Sequence, residues 1–111
     1  MDIVDIIHEC WQTAEDHGFH GVGRSFGDTV ALIHTEVSEA YEAFRKDGKM
    51  SAYTEVDGKP EGVVVELLDA VIRIFDTCIG EAGMSAEDVA LWLEHKMAFN
   101  KTREHLHGKV I

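Results

Sequence analysis

The segment from Val63 to Ile79 constrains this chain more than any other. It is apolar at most positions over seventeen residues, which reads as a helix buried on most of its circumference. Yet Glu66, Asp69, Arg73 and Asp76 recur within it at spacings of three, four and three. That spacing puts all four charges on one stripe of the helix. An unpaired buried charge costs on the order of several kcal/mol, so the stripe demands partners. Arg73 can serve one carboxylate, and the others ask for a cation.

The rest of the chain is read around that helix. With 111 residues, 45% of them hydrophobic, the chain can bury one core, and residues 1–111 are expected to form a single domain. The formal net charge is -11, from 21 acidic and 10 basic residues. Such a surface argues against binding nucleic acid, whose phosphates need positive charge, and against docking on anionic membranes. It suits a protein that gathers divalent cations, and it also serves solubility. Two cysteines, Cys10 and Cys78, are too few for a disulfide framework and are expected to be free thiols in a cytoplasmic protein. Met1–His8 lacks the basic start of a signal peptide, and no apolar run reaches the roughly 20 residues that span a bilayer.

Hydrophobic periodicity predicts an all-α, four-helix bundle-like fold. The first helix runs from Asp2 to about His17, with Ile3, Ile7, Cys10 and Ala14 on one face and Gly18 ending it. The glycine-rich stretch Phe19–Gly27 is a helix connector or a lid over a ligand; it lacks the Gly-Lys-Ser/Thr ending of a phosphate-binding P-loop. A second helix begins near Asp28 or a turn earlier and runs to about Lys46, with Ile33, Val37, Ala40 and Phe44 as its seam. Asp57-Gly58 predicts a small hairpin in the polar segment that follows, and Pro60 is expected to set the start of the third helix. The fourth helix is capped by Ser85 and runs to about Glu104, with Ala86, Ala90, Leu93 and Met97 as its seam.

Two helices therefore carry an acidic pair three residues apart: Glu36 with Glu39, and Glu66 with Asp69. Packed side by side they bring four carboxylates together, an oxygen-only set that suits Mg²⁺, with Mn²⁺ as a substitute. The fourth helix offers a complement, because Lys96, Asn100 and Arg103 at spacings of four and three share a face suited to phosphate. Trp11 is either a core residue or a platform on which a base stacks, and His34 stands near the first acidic pair. There is no Cys-x-x-Cys or His-Glu-x-x-His zinc pattern, and the one Glu-x-x-His of di-iron type, Glu104 with His107, lies in the tail.

Thr35-Glu36-Val37-Ser38-Glu39, then 26 residues, then Glu66-Leu67-Leu68-Asp69, then Lys96, Asn100 and Arg103 resemble the all-α nucleoside triphosphate pyrophosphohydrolases, most closely the MazG-like branch. Lys59-Pro60-Glu61-Gly62 resembles that branch too. The resemblance implies Mg²⁺-dependent hydrolysis of a (deoxy)nucleoside triphosphate to the monophosphate and pyrophosphate. It implies Glu36, Glu39, Glu66 and Asp69 as metal ligands, and Glu39 as the residue that activates water. Lys96 and Arg103 would bind phosphate, Asn100 phosphate or sugar, and Arg73 would orient the acids. It also implies a homotetramer or homodimer. Many members open the first motif with two adjacent glutamates, where this chain has Thr35; Asp76 is the candidate replacement. The alternative is a catalytically silent nucleotide- or metal-binding helical module with a regulatory or structural role.

Overall fold

Four helices and one hairpin make up the computed structural model, which describes residues 1–51 and 53–103. In chain order they are α1 (Ile3–Asp16), a 3₁₀ turn (Phe19–Gly21), α2 (Phe26–Asp47), β1 (Thr54–Val56), β2 (Lys59–Glu61), α3 (Val63–Gly80) and α4 (Ala86–Lys101). The all-α expectation holds, and the two short strands form the small hairpin expected at Asp57-Gly58. The expected last turn of the fourth helix at Glu104, the Glu104/His107 pair and the tail lie outside the described residues.

Short polar side chains set the helix starts. Asp2 accepts from the backbone N–H of Asp5 while Asp5 reaches back to Asp2, a reciprocal cap for α1. Ser25 and Asp28 do the same for α2, which is why that helix begins at Phe26 rather than Asp28. Ser85 caps α4 by accepting from the N–H of Asp88. Gly48 closes α2 in the left-handed conformation, φ +70, donating to the carbonyl of Phe44.

Asp57 and Gly58 both take positive φ, 53 and 79, the signature of a type I′ hairpin turn. The strands pair antiparallel with Val56 opposite Lys59 and Glu55 opposite Pro60. Pro60 thus sits in β2 and does not begin the third helix, correcting that expectation. In a two-residue hairpin the pair flanking the turn exchanges hydrogen bonds and the next pair does not, so a residue without an N–H fits there. Gly62 caps α3 instead, without a side-chain acceptor.

α3 lies between α1 and α2 and packs on both, while α4 docks on α1. Ile7 is the one fully buried large side chain among the described residues, and it packs with Ala86, Val89 and Ala90 of α4. The rest of α4 leaves the body: every residue from Leu91 to Arg103 is exposed, including Leu93 and Met97 of its predicted seam. α3 also departs from expectation. Only Val63 and Ala70 are buried along it, and Leu67, Leu68, Val71, Ile72 and Ile74 are exposed. Its neighbours cover two sides, and nothing among the described residues covers the remainder. The radius of gyration, 16.2 Å, exceeds the ~13 Å of a compact domain of this length. Cys10 and Cys78 are free thiols. Among the described residues no helix is long and apolar enough to cross a membrane.

Because Ile7 alone locks α1 to α4 at full depth, Ile7→Ala should lower the unfolding free energy by about 2–5 kcal/mol. Ile3→Ala, at a position 41% exposed, should cost a small fraction of that. Urea denaturation followed by circular dichroism measures both.

Candidate functional site

The packing of α2 on α3 turns two separate acidic pairs into one cluster. Ligand oxygens of Glu36, Glu39 and Glu66 lie within 4.8 Å of one another. Oxygens sharing one Mg²⁺ stand about 3–4 Å apart, given metal–oxygen bonds of ~2.1 Å. Small side-chain rotations would therefore bring the three onto one ion, and an all-carboxylate set suits a hard cation. Asp69 falls outside that trio but borders a cleft with Glu36.

The cluster is electrostatically loaded. Burial first, and then Asp69, Glu39 and Glu36, push the Glu66 carboxyl above its ordinary range; the Lys59 ammonium opposes them. Asp69 is raised in the same way, by burial and then by Glu36, against Lys59 and Arg73. Each acid thus resists ionisation until positive charge arrives. Arg73 supplies some of it by donating from Nη2 to Glu36 Oε1 at 3.1 Å. At the position where the resembling family has a further glutamate, the Thr35 hydroxyl donates to the carbonyl of Ala31, 3.0 Å away, inside its own helix. His34 is exposed and stands outside the trio of acids.

Asp76, the candidate replacement, is already engaged. Its Oδ1 lies 2.6 Å from His20 Nε2, and the other ring nitrogen of His20 lies 2.5 Å from Glu15 Oε2. A carboxylate at each nitrogen favours the protonated ring, the form that can donate from both. The Glu15 hydrogen bond does most to raise the His20 pKa; burial, the next largest effect, opposes it, and the Asp76 hydrogen bond adds to the rise. Trp11 stacks on the ring with centroids 5.8 Å apart. It borders a groove with His8 and Ile79 and lines neither cleft beside the acids, so within one chain it supports His20.

Two clefts flank the acids. One, of about 340 Å³, opens between the end of α2 and the hairpin, and Glu39, Glu66, Lys46 and Lys59 line it. The other, of about 290 Å³, lies between α1 and α3, where Glu36 and Asp69 meet Phe19 and Ile72. Lys96, Asn100 and Arg103 line neither cleft. They are exposed on the projecting part of the chain, where the cations of Lys96 and Arg103 lie over the Phe99 ring at 5.2 and 5.7 Å.

Sequence reasoning missed Lys46, Lys59 and the His20 bridge. Lys46 had a signal, since it follows Glu39 by seven residues, two helical turns along one face. Lys59 opens the Lys59-Pro60-Glu61-Gly62 segment already noted for its resemblance, but no spacing rule placed it beside the acids; His20 had no signal, because the chain folds back on itself to bring it in.

The comparisons with known proteins add little to this geometry. An adenosine deaminase from Plasmodium vivax (strain Salvador I) is 28% identical over 103 residues, a match covering 89% of this chain and 28% of that protein. The chain therefore spans under a third of the length of that relative. No family model matches the chain, and no solved structure does.

A raised histidine pKa contributes stability that is fully present below the unfolded value, 6.5, and is lost as pH rises through the folded value. The His20 ring protons should titrate above 6.5 by NMR. The stability difference between wild type and His20→Gln should shrink as pH climbs through that midpoint. A midpoint at or below 6.5 contradicts the bridge.

Proposed function

We propose that this chain is a Mg²⁺-dependent nucleoside triphosphate pyrophosphohydrolase of MazG-like type, releasing pyrophosphate and a nucleoside monophosphate. The observation that carries the reading is the convergence of Glu36, Glu39 and Glu66 from two packed helices, with Asp69 beside them, on the residues that resemble the family's motifs. In this reading Glu36, Glu39, Glu66 and Asp69 hold the metal, with Mn²⁺ as a substitute. A bound divalent ion would neutralise the triphosphate and polarise the phosphorus under attack. Glu39, the exposed member of the trio, orients a water and takes its proton for in-line attack. Arg73 keeps Glu36 in position. The likeness to an adenosine deaminase supports an enzyme acting on a nucleoside-containing molecule, and no more.

The reading includes assembly as a homotetramer or homodimer in the cytoplasm. Support comes from the exposed apolar side chains Leu67, Val71 and Ile74 on α3 and Leu91, Trp92 and Met97 on α4, faces that a second copy would cover. A neighbouring α4 would then bring Lys96, Asn100 and Arg103 toward phosphate and sugar, and a neighbouring α1 would offer Trp11 to a base. These roles rest on the assembly, since within one chain these residues stand apart from the acids.

The deciding experiment incubates purified protein with ribo- and deoxyribonucleoside triphosphates, with Mg²⁺ or EDTA, and resolves monophosphate and pyrophosphate. Magnesium-dependent pyrophosphate release is expected, with kcat reduced at least about 100-fold in Glu39→Gln and comparably in Asp69→Asn. Adenosine in the same screen, with ammonia as readout, tests the activity for which the relative is named. No turnover with either metal would leave the silent binding module as the reading.

Light scattering after gel filtration measures assembly. A dimer or tetramer is expected, shifted toward monomer by Leu67→Glu combined with Val71→Glu. A wild-type monomer at micromolar concentration rules out the assembly.

A further inference from the structure

We propose that Lys46 and Lys59 form the seat for the outer phosphates of a metal-complexed di- or triphosphate, in the cleft between the end of α2 and the hairpin. The inference rests on the pyrophosphohydrolase reading and goes beyond it, since that reading looked to α4 for the phosphate-binding cations.

Position comes first. The cleft has a volume of about 340 Å³ and shares Glu39 and Glu66 with the acidic trio. A phosphate chain held there lies against the two carboxylates, one of them the proposed water activator. Lys46 reaches the cleft from α2 and Lys59 from β2, so two elements converge on it. Lysine is a point charge with three rotatable donors and suits phosphate oxygens whose positions shift during a reaction. Among the described residues, neither ammonium has a carboxylate within 4.0 Å, although Glu42, Asp47 and Glu61 share the same walls. Two cations facing acids without contacting them leave room for something negative between.

The backbone agrees. The start of α3, at Gly62, has no side-chain cap and borders the cleft, so the positive end of an 18-residue helix lies beside the same space, with the Val64 N–H already bound by the Ser51 carbonyl.

The charge balance selects the ligand. Five carboxylates (Glu39, Glu42, Asp47, Glu61 and Glu66) stand against two ammoniums, Lys46 and Lys59. A bare polyanion is repelled, whereas one carrying divalent metal brings the charge the cleft lacks. The direction of a nucleotide follows. Phe19 and Ile72 make the opposite cleft the apolar one, which suits a base. The phosphate chain then runs from there across the acids to the hairpin.

Isothermal titration of inorganic tripolyphosphate tests the seat without turnover. Wild type with Mg²⁺ should bind, and EDTA should abolish binding. Lys46→Gln and Lys59→Gln should each weaken affinity about tenfold, the effect of one charge-assisted contact. Lys101→Gln, which removes the same charge from the exposed end of α4, should stay within about twofold of wild type. Affinity unchanged in both cleft variants, an equal loss in Lys101→Gln, or no binding by wild type each overturns the seat. Wild type that binds tripolyphosphate yet hydrolyses no nucleotide sinks the enzyme reading and leaves the seat standing. Wild type that hydrolyses nucleotides with unchanged KM in Lys59→Gln sinks the seat alone.

Discussion

Everything in this molecule depends on two helices packing across a seam of like charge. Glu36 and Glu39 on α2 face Glu66 and Asp69 on α3, and Arg73 answers one of the four at 3.1 Å. Burial and the neighbouring acids together raise the pKa of Glu66 and Asp69. A seam of leucines would hold these helices together better. On the proposed function, the cation those carboxylates would hold is what offsets their cost to packing. The hairpin sets Lys59 and the end of α2 sets Lys46 on one side of that seam, while α1 closes the other.

Both flanks are held by polar ties, because little apolar surface is buried there. At the hairpin end, Gly62 has φ +133, and a Cβ on it would lie 3.2 Å from both the carbonyl and the hydroxyl oxygen of Ser51. Its absence lets Ser51 lie across the first turn of α3 and accept from the N–H of Val64 at 3.1 Å. At the other end, His20 joins the 3₁₀ turn to α1 through Glu15 and to α3 through Asp76. The connector Phe19–Gly27 is therefore pinned to both of these helices at one imidazole.

Local chemistry was legible from the sequence and non-local pairing was not. Asp2, Ser25 and Ser85 act as caps within a turn of their own position, and Gly18 and Gly48 take the left-handed conformation where periodicity stops. The i, i+3 acids met because both lie on seams facing the same groove. Pro60 was misplaced because its fixed φ suits a helix start and a strand equally, and strand pairing with Glu55 decided the matter. His20 and Asp76 are separated by 56 residues, a distance no spacing rule covers. The predicted burial of α3 assumed that an apolar face finds its cover within the same chain. Among the described residues Leu67, Leu68 and Val71 stay exposed, and α4 leaves the body after Ala90.

That divergence bears on how the site is kept in register. On α3 the acids Glu66 and Asp69 lie on one stripe with Arg73, while Leu67, Val71 and Ile74 lie about 80–140° round the helix from Glu66, by the 100° turn per residue of a helix. Any surface that covers the apolar stripe fixes the rotation of α3 about its axis, and so fixes the direction in which the acids point. The charged seam cannot do this alone, since repulsion across it would tend to rotate the acids apart. In the proposed assembly, contact between copies and alignment of the carboxylates would be one mechanical event. Small helical chains with a crowded acidic seam have good reason to place their largest open apolar face on the same helix.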